Sequence, residues 1–229
     1  MAIESTDTDL ADSVDQPALD HPIFVESIRL IRQEPQIQAL LAPLSPVQQD
    51  VLLRLVHSSG DCDLAPLLRF SDGACEAGLE ALAAGVPILT DTAMAAAAVA
   101  PMARRTFGNR VCSVLDWAPA RAPRGSTRSA AGIERALAAH PGAVVLIGSA
   151  PTALEVLLEQ VAAALVPAPA LVIGMPVGFV GVAESKRHLA SSPLPQIRLE
   201  GSRGGAGLVG AAVNALLRRA WLDQAAAGS

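Results

Sequence analysis

The chain has 229 residues, 51% hydrophobic, 17% charged and 3% aromatic, with a net charge of −5. That length holds one domain with its own core and needs no disulfide scaffold or structural metal, and so apolar a composition excludes a chain disordered throughout. The scarcity of aromatics, with no Tyr at all, argues against a single-stranded nucleic-acid binder, which needs stacking platforms in a basic groove.

Residues 1–20 carry six acids (Glu4, Asp7, Asp9, Asp12, Asp15 and Asp20) and no base, so residues 21–229 stand at +1. The stretch reads as a flexible acidic leader. The body's cations are then free to meet an anionic ligand. The first clear helix spans 46–57. Ser45 with Gln48 three residues on makes a capping box, and Pro46 takes the first helical position. Val51, Leu52, Leu55 and Val56 cover one side of it. Arg54 and His57, three apart, share the other. Gly60 is a suitable terminator. An imidazolium at a helix C-terminus is favoured by the dipole, which suits a general acid; a surface histidine on a polar face reads the same way.

A helix over 73–84 follows, then an apolar strand over 86–90. Asp91 ends that strand as a functional acid or as a helix cap. The Ala-rich run 93–102 is the most membrane-like stretch, but it is short and broken by Pro101, against the ~20 residues a span needs. A strand over 110–115 precedes Gly125, Ser126, Thr127, Arg128 and Ser129. Ser and Thr there are ordinary caps of a helix over 128–140. Arg128 would sit at its N-terminus, where the dipole does not favour a cation, so it is anion-binding or merely solvated. After a strand over 143–147 comes Ser149, read as a cap. Leu154, Leu157, Leu158, Val161 and Leu165 then stripe a helix over 151–165.

The next strand, 170–174, leads into a segment from Gly174 to Lys186 that precedes a helix. Its glycines allow close backbone approach, and Lys186 and Arg187 could reach a carboxylate or phosphate. A tight turn with a solvated first helical turn fits equally. A strand over 196–200 ends near Gly205, Gly207 and Gly210, which match G-x-G-x-x-G at the start of a helix over 205–221. A dinucleotide fold would need an acid about 20 residues further on and more strands; only 19 residues follow Gly210. Close packing explains these glycines, with anion contact by Ser202 and Arg203 as an addition. Residues 223–229 are expected to fray.

Several strands are continuous Val/Ile/Leu runs, as in sheets buried on both faces. Their alternation with helices predicts an α/β chain, a three-layer α/β/α sandwich with a mainly parallel sheet, whose ligands belong at the carboxyl ends of the strands. Cys62, Cys75 and Cys112 are sparse and far apart, which suggests a reducing, cytoplasmic setting. His21, His140 and His188 show no metal-ligand spacing, and no metal site is expected.

Six stretches together resemble the precorrin-8X (cobalt-precorrin-8) methylmutase family, over about His21 to Leu217, within a domain expected to span residues 21–222. They are His21-Pro22-Ile23 with Glu26-Ser27 and Ile31-Arg32; Val56-His57-Ser58-Ser59-Gly60; Gly85 to Asp91; Thr127-Arg128-Ser129-Ala130; Ile147 to Leu154; and Gly174 to Lys186. The resemblance implies a flavodoxin-like domain, a homodimer with its sites near the subunit interface, and no cofactor. It implies an isomerase of corrin-ring (vitamin B12) synthesis, moving a methyl group from carbon 11 to carbon 12 of precorrin-8X, a tetrapyrrole, to give hydrogenobyrinate. The family's catalytic histidine falls on His57, which by resemblance protonates the macrocycle. Its substrate-binding residues fall on Ser27, Arg54, Arg128 and Lys186, and Arg and Lys suit the carboxylates of such a substrate. The chain departs from the family pattern at Ile28, where Phe is usual, and at Asp91-Thr92-Ala93-Met94, where a Glu is missing. The second departure leaves a catalytically inactive corrinoid carrier as the rival expectation.

Overall fold

A computed structural model describes residues 19–228, so all but two of the leader's residues lie outside the described part. The first three helices, α1 (Pro22–Ile31), α2 (Pro35–Leu41) and α3 (Pro46–Ser59), precede the main sheet. The expected capping box of α3 is present: Ser45 Oγ accepts from the Gln48 amide while the Gln48 side chain accepts from the Ser45 amide. Gly60 closes the helix at φ 66°, a left-handed geometry open to glycine without strain.

The strands are β1 (Leu68–Phe70), β2 (Ile88–Thr90), β3 (Val111–Ser113), β4 (Val144–Ile147), β5 (Leu171–Gly174) and β6 (Gln196–Leu199), in the order β1-β6-β5-β4-β2-β3. The five strands β2 to β6 are parallel. Renumbered among themselves they run 2-1-3-4-5, the flavodoxin order, with the strand order reversing between β2 and β4. The sequence reading misses β1, three residues long and too short to show a period. It pairs antiparallel with β6 and covers that edge.

Between the strands run α4 (Ala74–Ala83), α5 (Ala93–Arg105), α6 (Arg128–Ala139), α7 (Pro151–Ala162) and α8 (Val182–Ala190), and after them α9 (Ala206–Ala227). Every residue of β4 and β5 is buried. Val144 and Leu146 face a core shared with α4, α5 and α9, whereas Val145 and Ile147 face one shared with α6 and α7. Helix α3 packs on α9, and α1 on α3. The run 93–102 is thus the first part of a full helix, capped by Thr92 and continuing through Pro101, because a proline deletes one hydrogen bond but leaves its flanks free to stay helical. Residues 114–117 form a 3-10 turn rather than extending β3. At the far end α9 runs to Ala227, past the boundary expected at 222. No helix among the described residues is long and apolar enough to cross a membrane.

Candidate active site

Helix α1 has no buried residue, yet it carries one wall of the site. His21 caps it, its Nδ1 accepting from the Ile23 amide at 3.2 Å. Further along the helix, Ser27 Oγ lies 2.7 Å from His57 Nδ1 on α3. Phe24 meets the imidazole edge-on with ring centroids 5.1 Å apart. The Arg54 guanidinium lies 4.4 Å from the centre of the same Phe24 ring, a cation–π contact. Three of the five expected site residues, Ser27, Arg54 and His57, are therefore gathered by two packed helices.

His57, Arg54 and Phe24 line a cavity of about 470 Å³ completed by Asp20, His21, Met102 and Arg105. A second, of about 230 Å³, lies beyond Arg54 and is lined by Asp20, Arg32, Asp50 and Arg218 among others. Asp20, counted with the leader by composition, grips Arg218 through a two-pronged ion pair, with Arg218 Nε at 2.7 and 2.9 Å from its two oxygens. Phe24, Asp20, Met102, Arg105 and Arg218 line these cavities without having been read from the sequence as site residues. Phe24 had one usable signal, its place three residues before Ser27 on one helical face.

The electrostatics correct one expectation. Burial, followed by the nearby Arg54 charge, holds the His57 pKa below the ordinary imidazole value. The helix C-terminal dipole, expected to favour the imidazolium, is opposed by partial desolvation and by a guanidinium one turn away. Arg54 is itself lowered by burial, against the opposing pull of Asp20.

The other two expected residues stand elsewhere. Arg128 is exposed at the start of α6, its Nε donating to the Pro119 carbonyl at 3.0 Å. Lys186 is buried within α8, and its ammonium donates to the carbonyls of Gly201 at 2.8 Å and Arg203 at 2.6 Å. Burial pulls its pKa down to about 8. Neither lines the His57 cavity. Asp91 is fully buried, and its Oδ2 accepts from the amides of Ser149 at 2.6 Å and Ala150 at 2.8 Å. It thus caps α7 from the neighbouring strand, and Ser149 contributes its amide rather than a capping hydroxyl. Gly210 faces Ala98 of α5 at a distance only a glycine fits easily, which accounts for that part of the G-x-G-x-x-G run by helix packing. His140 packs edge-on against Trp117, and His188 pairs with Glu155 at 2.9 Å. Among the described residues no group of three or more His, Cys, Asp or Glu side chains could hold a metal ion.

Residues 22–219 match the family model described as precorrin-8X methylmutase. The chain is 38% identical over 221 residues to a cobalt-precorrin-8 methylmutase of Synechocystis, covering 90% of this chain and 98% of that protein. It is 44% identical over 199 residues to a precorrin-8X methylmutase of Pseudomonas aeruginosa, covering 85% and 93%. Among solved structures, the precorrin-8X methylmutase of Thermus thermophilus superposes with a TM-score of 0.75 at 40% identity, covering 88% of this chain and 96% of that one.

Proposed function

Because the chain belongs to the precorrin-8X methylmutase family, we propose that it is an isomerase of corrin-ring synthesis that moves a methyl group from carbon 11 to carbon 12 of precorrin-8X, giving hydrogenobyrinate, with His57 as general acid. The observation that carries this reading is the 2.7 Å contact between Ser27 Oγ and His57 Nδ1 beside Arg54. With Nδ1 engaged by the hydroxyl, Nε2 is the nitrogen left for a ligand. When the imidazole is charged, Nδ1–H donates to Ser27 Oγ and Nε2–H is the acid. After Nε2 gives its proton to the macrocycle, Nδ1–H can stay on Ser27 Oγ, and the lone pair is then on Nε2. Substrate and product are isomers, so a proton delivered to the ring is matched by one that returns, and an unpaired Nε2 can receive it. The lowered pKa makes His57 a stronger acid, at the cost of a smaller protonated fraction at neutral pH.

Arg54 supplies the cation for a peripheral carboxylate of the substrate, held flat by the Phe24 ring. A homodimer belongs to the same proposal. It is supported by the exposed apolar side chains of Ile23, Val25 and Leu30 on α1 and of Phe179 and Val180 after β5, and sedimentation equilibrium tests it. The free thiols of Cys62, Cys75 and Cys112 suit a reducing cytoplasm. The reaction is tested by following the hydrogenobyrinate chromophore from precorrin-8X with wild type and His57→Ala. Conversion by wild type alone is the expected result, with the variant retaining coloured ligand. Normal turnover by the variant would remove His57 from the mechanism, and binding without conversion by wild type would favour a carrier.

A further inference from the structure

Lys186 is 2% exposed, and its ammonium is held by two main-chain carbonyls, not by a carboxylate. Burying a cation in that way is costly, so what it fixes matters. Its two acceptors, Gly201 and Arg203, belong to the turn between β6 and α9. Other contacts pin the same turn onto the loop after β5. The Gly178 amide donates to the Ser202 carbonyl at 3.1 Å, and the Gly205 amide to the Met175 carbonyl at 2.9 Å. Gly204 lies so close to the Met175 carbonyl oxygen that a Cβ there would overlap it. Gly201 and Gly205 take positive φ angles of 71° and 137°, and a chain of such residues has many other conformations to choose from without a clamp.

The charged side chain of this turn is Arg203. Its Nη1 lies 3.0 Å from Asp61 Oδ2, just past the end of α3, and both groups are partly exposed. Such a pair is weak and orients the guanidinium without using up its other donors. Arg203 lines a cavity of about 410 Å³ with Ser58, Ser59, Val177 and Gly205. Ser58 is the residue after His57.

We propose that Lys186 is a positioning residue which locks turn 201–205, and that this turn presents Arg203 as a second carboxylate-binding cation for the substrate whose ring meets His57. The proposal rests on the methylmutase reading. It gives Lys186, expected from the sequence to touch substrate, an indirect role, and it assigns the direct contact to Arg203.

The test is a double-variant cycle with Lys186→Met, Arg203→Gln and the combination, read as KM and kcat for precorrin-8X and as hydrogenobyrinate affinity from the visible spectrum. Arg203→Gln should raise KM roughly tenfold, the loss of one charge-assisted hydrogen bond, and leave kcat within about twofold. Lys186→Met should raise KM comparably, and adding it to Arg203→Gln should raise KM no further, since it acts through that side chain. Lys186→Arg, which keeps a buried cation and donors, should recover part of the loss. Unchanged KM and product affinity in Arg203→Gln, a surface change that leaves the core intact, overturns the proposal even if Lys186→Met does not fold. So does a full additional KM increase in the combination, which would mean that Lys186 meets substrate directly. Wild type that does not convert precorrin-8X refutes the methylmutase reading instead, and the cycle is then decided on hydrogenobyrinate affinity alone.

Discussion

Replacing Ser27 by Ala removes one oxygen from the site and nothing from the core, since Ser27 is only half-buried on a helix without buried residues. The bond lost is the 2.7 Å contact to His57 Nδ1. A neutral hydrogen bond is worth about 0.5–1.5 kcal/mol net, and one to a charged group about 1.5–3 kcal/mol. The imidazolium therefore loses more than the neutral ring does. That difference, about 1–1.5 kcal/mol at about 1.4 kcal/mol per factor of ten, should lower kcat above the His57 pKa roughly fivefold to tenfold, with KM little changed. The pH profile gives an independent check. With His57 as the proposed general acid, turnover requires the imidazolium, so kcat is expected to be high below the His57 pKa and to fall as pH rises through it. Burial and Arg54 already place that limb below the ordinary imidazole value. Loss of the Ser27 acceptor moves it further toward acid, so the ratio of wild type to variant widens as pH rises between the two limbs. Stopped-flow absorbance of product formation across pH measures both effects. A kcat within twofold of wild type at every pH, or a loss confined to KM, would refute the assignment of Ser27 as the group that holds the imidazolium.

Arg54→Gln removes a charge that lowers the His57 pKa, so its kcat limb should move to higher pH, opposite to Ser27→Ala, while KM rises; a limb that stays put would show that Arg54 does not act on His57. Asp91→Ala removes the one oxygen that accepts from both the Ser149 and the Ala150 amides, at a cost of about 1–3 kcal/mol for each buried donor left unpaired, and calorimetry should show Tm lower by several degrees, an unchanged Tm contradicting the capping role. Gly204→Ala drives a Cβ into the Met175 carbonyl, so it should lose about 1–3 kcal/mol and raise KM as Arg203→Gln does; a normal KM would separate the turn from substrate binding. Stability also carries the sign of His57: its folded pKa lies below the unfolded one, so its contribution is intact above the ordinary imidazole pKa and is lost as pH falls toward the folded value. His57→Gln should flatten that slope in urea titrations, and an unaltered slope would place the dependence elsewhere.

How far the sequence discloses this site follows from where each residue's signal lives. Arg54 and His57 lie on one regular helix whose box and glycine terminator fix its phase, so their shared face was readable. The strands were readable because β4 and β5 are buried on both sides and show as unbroken apolar runs. Ser27 came only from resemblance, because α1 has no fully buried residue and the packing of Ile28 and Ile31 on the core marks a helix face without marking a hydroxyl on it as part of a site. Asp20 was read as leader because composition averages over neighbours, whereas its forked bond to Arg218 spans nearly the whole chain. Lys186 and Arg187 are adjacent and equally charged in sequence. One is buried against two carbonyls and the other is exposed beside Glu184, a difference set by the turn that packs over α8 and not by α8 itself. The desolvation that opposes the dipole at His57 was hidden for a similar reason, since a helix dipole is local whereas the burial comes from α1 packing beside the ring.

The arrangement also separates a catalyst from a carrier on physical grounds. A protein that only held a corrinoid would need cations for its carboxylates, and Arg54 and Arg203 would serve. It would have no use for a hydroxyl bound to His57 Nδ1, which engages the ring nitrogen that the proposed proton transfer does not use. Nor would it gain from a His57 whose charge is disfavoured by Arg54, since a neutral ring attracts no carboxylate. The departure at Thr92 and Ala93 leaves this machinery alone: Thr92 caps α5, its hydroxyl accepting from the Ala95 amide, and Asp91 holds α7 as described. Binding and conversion should therefore respond differently to one substitution. A carrier predicts that Ser27→Ala and wild type hold hydrogenobyrinate equally and that neither converts precorrin-8X. A methylmutase predicts equal affinity with unequal turnover, and that split ties the Ser27–His57 pair to the proton and not to the ring.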